Sequence, residues 1–367
     1  MRGLYIHIPF CVKKCAYCDF VSYPDCLDRE KEYLSALCDE FKRYEDKQVD
    51  TVYIGGGTPT ALSTDGLILL LDNIFNYFDV TDDAEITIEV NPKTADIKKL
   101  SALRLAGVNR VSIGVQSFDD EVLSAIGRIH TAQDAANCIL DAKFAGFKNI
   151  SVDIMFGLPN QTLESLKNTL FRAVTSGVTH ISCYSLILEE NTPLFESVKR
   201  GDLSLPDEDT EALMYDTVCD ILKKSGFKQY EISNFAKEGF YSRHNIKYWD
   251  CEEYIGCGAA AHSYFKGKRY SNTENIDEYI NSSLRQKDTV TLSTEDKMSE
   301  FMFLGLRKID GVSLYDFQIR FGVSLESVYG DVVKKYMSLG LLRIEDGILM
   351  FTPQGIRVSN TVLCEFV

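Results

Sequence analysis

Tyr5-Ile6-His7-Ile8-Pro9-Phe10-Cys11-Val12-Lys13-Lys14-Cys15-Ala16-Tyr17-Cys18 is a short apolar strand running into a loop of three cysteines. The spacing C-x3-C-x2-C offers three thiolates where a cubane has four corners, so a [4Fe-4S] cluster with one iron left open is expected on Cys11, Cys15 and Cys18. A zinc site needs a second pair of Cys or His at a fixed offset, and the chain offers none. A disulfide framework is disfavoured by the odd count of 11 cysteines and by the lack of an amino-terminal signal peptide. The other eight cysteines, Cys26, Cys38 and Cys183 among them, have no paired spacing and read as small core residues.

Beyond this loop, strand-like and helix-like segments alternate. Strands are expected at 4–9, 51–54, 85–90, 110–115, 150–155 and 180–186, and helices at 28–44, 64–78, 94–106, 119–127, 132–145 and 163–175. Parallel neighbours need long return connections, so six strand-plus-crossover units argue a parallel α/β sheet. Ala106-Gly107, Ala145-Gly146 and Ser176-Gly177 each end a helix just before a strand, where glycine suits the carboxy-terminal cap. Periodicity leaves an open doubly wound sheet and a partial barrel equally available. The unusual residues favour the barrel, whose chemistry gathers at the carboxyl ends of its strands. There stand the cysteine loop, Gly55-Gly56-Gly57-Thr58-Pro59, Glu89 with Asn91-Pro92, Gln116 and Asp153.

Near Pro206 the alternation stops. A helix at 207–224 precedes an irregular stretch, 230–271, rich in aromatics, Gly and Asn. From 294 onward three helices, a hairpin at 341–351 and a last helix read as a winged-helix-like module. Its seven Lys or Arg after residue 300 are matched by seven Asp or Glu, and the whole chain carries −15, so the basic footprint of a nucleic-acid binder is missing. No apolar run approaches the roughly 18 residues a membrane-spanning helix needs, so a cytoplasmic protein is expected. Peripheral membrane association through a protein partner stays open.

Together, the cysteine loop with its preceding Tyr5-Ile6-His7-Ile8-Pro9-Phe10, Gly55-Gly56-Gly57-Thr58-Pro59-Thr60, Ile88-Glu89-Val90-Asn91-Pro92 and Gly114-Val115-Gln116-Ser117 resemble the radical S-adenosylmethionine (SAM) superfamily. The likeness is to the branch that holds the oxygen-independent coproporphyrinogen III oxidases and the HemW-type haem chaperones, and it runs over essentially the whole chain. It implies a partial (β/α)6 barrel at 1–200, an accessory α+β segment at 201–293 and the winged-helix-like unit at 294–367. It also implies that the open iron chelates SAM and reductively cleaves it to a 5′-deoxyadenosyl radical. Tyr5, Gly56 and Glu89 are implied contacts of a first SAM; Tyr17, Gly57, Thr58, Gln116, Arg128 and Asp153 are implied around a second SAM or the neighbouring cavity. Read bottom-up, a strand-end carboxylate facing water is the alternative for Glu89 and a surface cap of its helix the alternative for Arg128. His7 is expected to line the site.

Three features separate the two branches. The oxidases carry a further Cys where Phe20 stands, and a long segment ahead of the first strand that is expected to be missing here. Arg243-His244-Asn245-Ile246-Lys247-Tyr248-Trp249 resembles the H-N-x-x-Y-W signature of the chaperones. A histidine beside two aromatics suits an iron macrocycle, so His244 is an expected haem ligand, with packing of the accessory segment as the alternative. The resemblance therefore implies a haem chaperone serving respiratory haem proteins, with coproporphyrinogen III dehydrogenation as the alternative activity. Expected partners are haem as cargo, apo haem-protein acceptors and a flavodoxin- or ferredoxin-type electron donor. Self-association as a homodimer stays open.

Overall fold

Side-chain alternation sorts the first half of the chain into two surfaces. In the computed structural model, which describes residues 1–45, 47–282 and 285–367, the strands are β1 (Arg2–Ile8), β2 (Gln48–Gly56), β3 (Asp79–Val90), β4 (Arg110–Gln116), β5 (Asn149–Phe156) and β6 (His180–Ser185). Ser283 and Leu284, within the segment expected at 201–293, lie outside the described residues. One face of each strand is aliphatic: Leu4, Ile6 and Ile8, then Ile86, Ile88 and Val90, then Val111, Ile113 and Val115 all belong to a single core beneath the surrounding helices. The opposite face is polar, and Thr51, Thr87, Arg110, Ser112, Ser151 and His180 are all buried on it.

Helices α1 (Glu30–Phe41), α2 (Thr64–Tyr77), α3 (Ile97–Leu105), α5 (Ala132–Phe144) and α6 (Leu163–Thr175) cover the aliphatic face, while the short α4 (Asp120–Ala125) packs in a separate small cluster. Their starts are fixed locally: Ser63 caps α2, while Thr131 and Thr162 form reciprocal capping boxes on α5 and α6. Gly107, Gly146 and Gly177 adopt φ of 104°, 91° and 75°, the left-handed conformation that lets the chain turn from helix into strand.

β1 to β6 pair in parallel and in sequence order. A doubly wound sheet would reverse its strand order at a switch point, and this one does not. The sheet also curls. Glu89 on β3 and Tyr184 on β6 line one cavity of about 150 Å³, although three strand spacings in a flat sheet would part them by about 14 Å. The curl does not close into a ring. β1 pairs on its free edge with Tyr254–Cys257 and β6 with Asn234–Ala236, giving a sheet of twelve strands among the described residues. The fold is the expected partial barrel.

The tail packs around its own core, in which Met302, Leu306, Phe317, Leu349, Val362 and Phe366 are buried. A three-stranded sheet of Val312–Ser313, Ile348–Phe351 and Leu342–Glu345 flanks its helices.

Candidate functional site

The cysteine loop is stitched to its neighbours by main chain. Gly57 N–H donates to Ile8 O at 2.9 Å, Thr58 N–H to Phe10 O at 2.6 Å, Tyr23 N–H to Pro9 O at 2.6 Å and Ala16 N–H to Ile126 O at 3.0 Å. Phe10, fully buried, packs edge-on against Tyr33 and anchors the entry to the loop. Glycine is required where the second strand turn meets it, because a Cβ on Gly57 would lie 2.7 Å from Phe10 O and 3.1 Å from Cys11 Sγ.

His7 does not line the site as expected. Its Nε2 meets Val21 O and its Nδ1 the Tyr5 hydroxyl, both at 3.0 Å, so the ring clamps the far end of the loop to β1. Tyr5 is likewise one layer below the cavity wall, its ring stacked on Tyr53 at 6.2 Å.

Cys11, Cys15 and Cys18 border one cavity of about 150 Å³ together with Gly56, Gly57, Thr58, Glu89, Gln116, Arg128 and Asp153. Cys11 Sγ lies 3.5 Å from Thr58 Oγ1, and Cys15 Sγ accepts from Arg128 at 3.4 Å. All described cysteines are free. Among the described residues no trio of His, Cys, Asp or Glu is gathered at the spacing of one metal ion; the three thiols spread around the shared cavity, Cys18 within electrostatic reach of both others. Burial pushes the Cys11 and Cys18 thiols up, so thiolates there call for cationic charge, which iron would supply.

The acids on the cavity wall are unusual. Burial, reinforced by Asp153, pushes the Glu89 carboxyl up to about 7, against the Tyr53 hydroxyl at 2.8 Å and the Gly56 N–H at 3.1 Å, which both donate to it. Burial pushes Asp153 up to about 6, opposed by Ser112, whose hydroxyl donates at 3.1 Å. Glu89 is thus no water-facing strand end. Arg128 is no surface cap either. Its guanidinium donates to Gly114 O at 2.5 Å, to Asn91 Oδ1 and to Cys15, and its Nε is buried without a partner.

Gln116 holds φ of +63° where the β4–β5 register slips. A non-glycine residue pays about 1–3 kcal/mol for such a backbone, and such strain clusters at working sites. Its side chain accepts from the Tyr184 hydroxyl at 3.4 Å. Tyr17 and Tyr184 line the cavity and pack, with Leu186, against Val122 and Met155. Asn91, Ser112, Gly114 and Tyr184 also line it but were not singled out as ligands from sequence. Their signal was positional: each stands at or just below the carboxyl end of a barrel strand.

His244 is not brought to this cavity. It lies at the opposite, amino-terminal end of the strands, 1 % exposed, with Nδ1 2.9 Å from Thr51 Oγ1 and Nε2 2.8 Å from the Tyr248 hydroxyl. Both ring nitrogens, one of which was expected to ligate haem, have protein partners in this arrangement, the kind of packing contact that was the alternative.

A model of the radical SAM superfamily matches residues 5–173, and one of the HemN C-terminal domain matches 292–358. The chain is 40% identical to the haem chaperone HemW of Bacillus subtilis, covering 100% of this chain and 99% of that one. It is 38% identical to the HemW of Lactococcus lactis over 100% and 97%. Against the mitochondrial radical S-adenosyl methionine domain-containing protein 1 of Danio rerio it is 33% identical over 97% and 83%. The structure of the Escherichia coli coproporphyrinogen III oxidase HemN, a radical SAM enzyme, shares the fold with a TM-score of 0.85, 22% identity and coverage of 99% and 89%.

Proposed function

The chain belongs to the HemW family of the radical SAM superfamily, and from that premise we propose that it is a haem chaperone, binding haem and passing it to apo haem proteins of respiration. The observation that carries this reading is 40% identity to a HemW protein across 100% of this chain and 99% of that one.

The residues at the barrel mouth fit a cluster and SAM. Cys11, Cys15 and Cys18 would hold three corners of a [4Fe-4S] cluster, which supplies one-electron reduction of a sulfonium when bound. SAM would be held by Gly56, Gly57, Thr58, Glu89, Gln116, Arg128 and Asp153, with Tyr17 beside the cysteines and Tyr5 supporting from below. Glu89, ionised, receives an ammonium group; Asp153 and Gln116 accept from ribose hydroxyls; Arg128 keeps its unpartnered Nε for a carboxylate. A flavodoxin- or ferredoxin-type protein delivers the electron. The acceptor is met through protein contact, at the membrane surface where the acceptor resides there; among the described residues no helix is long and apolar enough to cross one.

The test is anaerobic reconstitution with iron and sulfide, followed by haem titration. A Soret band saturating at a fixed haem ratio, and its transfer to an apo haem protein separated by size exclusion, are expected; the same column reads dimerisation. Consumption of coproporphyrinogen III with matching 5′-deoxyadenosine, in protein that takes up no haem, would overturn the proposal in favour of the dehydrogenase.

A further inference from the structure

The H-N-x-x-Y-W helix, Arg243–Trp249, plugs the floor of the barrel, and its histidine is tied there on three sides. Beyond the two ring contacts, His244 N–H donates to Glu85 Oε1 at 3.1 Å. A Cβ on Gly3 of β1 would sit 3.0 Å from the imidazole, so the strand passes directly against it. The ring is therefore fixed by β1, β2 and its own helix, and the main chain that carries it by β3. Burial pushes it down to about 3, which keeps it neutral and leaves each nitrogen one defined role.

A line of contacts leads from this ring to the cavity. The Tyr53 ring lies against His244, with centroids 5.3 Å apart and planes 30° apart, and Tyr5 stacks on Tyr53 with centroids 6.2 Å apart. The Tyr53 hydroxyl then donates to Glu89 Oε1 at 2.8 Å, while Gly56 N–H donates to Glu89 Oε2 at 3.1 Å. These two donors reach the carboxylate from the protein side and leave its remaining lone pairs for the cavity. Gly56 is fixed main chain. Tyr53 is the adjustable donor, and its ring plane is set by what it lies on.

We propose that His244 is a positioning residue for SAM binding: through the Tyr53 ring it fixes the carboxylate of Glu89 toward the bound nucleotide. The inference rests on the reading that Glu89 takes the SAM ammonium, and it gives the H-N-x-x-Y-W segment a role in SAM binding instead of haem ligation. A carboxylate that must meet a charged group in one orientation loses affinity when its support is left free to rotate. Aliphatic replacement of His244 removes the flat surface and both anchoring contacts together.

SAM affinity of anaerobically reconstituted protein tests this, in His244→Leu, Tyr53→Phe, the double variant, Thr51→Val and Glu89→Gln. His244→Leu and Tyr53→Phe should each weaken SAM about tenfold, the worth of one hydrogen bond to a charged group. The double variant should be no weaker than either single one, because both act along one line. Thr51→Val, which removes one anchor of the ring and leaves its bulk, should weaken SAM by a smaller factor and serves where His244→Leu does not fold. Iron content and haem stoichiometry should stay at wild-type values. Multiplicative losses in the double variant, unchanged SAM affinity in both His244→Leu and Thr51→Val, or loss of haem uptake in His244→Leu would each overturn the inference. If Glu89→Gln itself binds SAM as the wild type does, the underlying assignment of Glu89 fails instead.

Discussion

At the scale of single residues, the chemistry of the cavity turns on groups whose charge the barrel makes costly. Glu89 binds its proton more tightly folded than unfolded. Its contribution to stability is therefore complete below its ordinary value of 4.5 and lost as pH rises through about 7, roughly 3 kcal/mol in all. The SAM-free protein should melt at progressively lower temperature between about pH 5 and 8 from this group, and Glu89→Gln should flatten that slope. SAM affinity should run the other way, rising with pH until Glu89 is ionised and then levelling, because an ammonium group favours the carboxylate. A SAM affinity independent of pH in this window would contradict the assignment. Arg128 gives a second prediction. Its planar fork serves Cys15 from one nitrogen and Gly114 O and Asn91 from the other, a spread that the single nitrogen of an ammonium does not match, so Arg128→Lys should lower iron retention after reconstitution and weaken SAM while leaving secondary structure intact. Converging strand ends placed Glu89, Gln116 and Asp153 in one site, and the family resemblance added Arg128. Sequence could not give their burial, which depends on the curl of the sheet, so the alternatives of a water-facing acid and a surface arginine stayed open until the cavity was seen.

At the scale of elements, spacing along the chain was a good guide wherever one period ruled. The helix 163–175 matches α6 residue for residue, because an uninterrupted apolar stripe lies between a Thr162 cap and a Ser176-Gly177 stop. β3 runs to twelve residues where six were expected, since the polar stretch 79–84 carries no inward–outward alternation and extends only by pairing with the start of β2. His7 was misread for a related reason. Strand alternation correctly turned it inward, but its reach to Val21 depends on the path of a loop that has no period at all. The clamp makes a prediction: His7→Ala should leave the barrel folded yet release one end of the cysteine loop, lowering cluster occupancy several-fold by iron and sulfide analysis, with His7→Asn restoring part of it. On the outer face the consequence is different. Ile88→Ala opens a cavity under the helices and should cost about 2–5 kcal/mol of stability without changing SAM affinity per folded molecule.

At the scale of the whole molecule, two cores are joined by the segment that also floors the barrel. Trp249, the last residue of the H-N-x-x-Y-W helix, carries the Arg307 guanidinium over its ring at 4.8 Å. Around that contact Ile232 N–H donates to Arg307 O, Ile309 N–H donates to Tyr230 O, each at 3.1 Å, and Lys308 pairs with Asp250. Arg320 reaches Cys251 O at 3.3 Å, and Arg269 grips Glu300 with two donors. The junction is thus built from cations of the tail and accessory segment set on aromatics, carbonyls and acids, with little shared aliphatic packing. Such a contact is legible in sequence only as a balanced charge count, which is why the tail could be set apart from the barrel but not docked onto it. A stacked, desolvated guanidinium contributes about 2 kcal/mol. Trp249→Ala removes the ring and leaves Arg307 beside the buried Glu231 without its platform, while both cores keep their own aliphatic packing. Calorimetry should therefore resolve two transitions in Trp249→Ala, with the tail melting first, where the parent shows stronger coupling. Raised salt should separate them further by screening Lys308–Asp250. A single transition shifted as a whole would mean that the aromatic platform supports the barrel floor alone and that the tail is held by the main-chain contacts at Ile232 and Ile309.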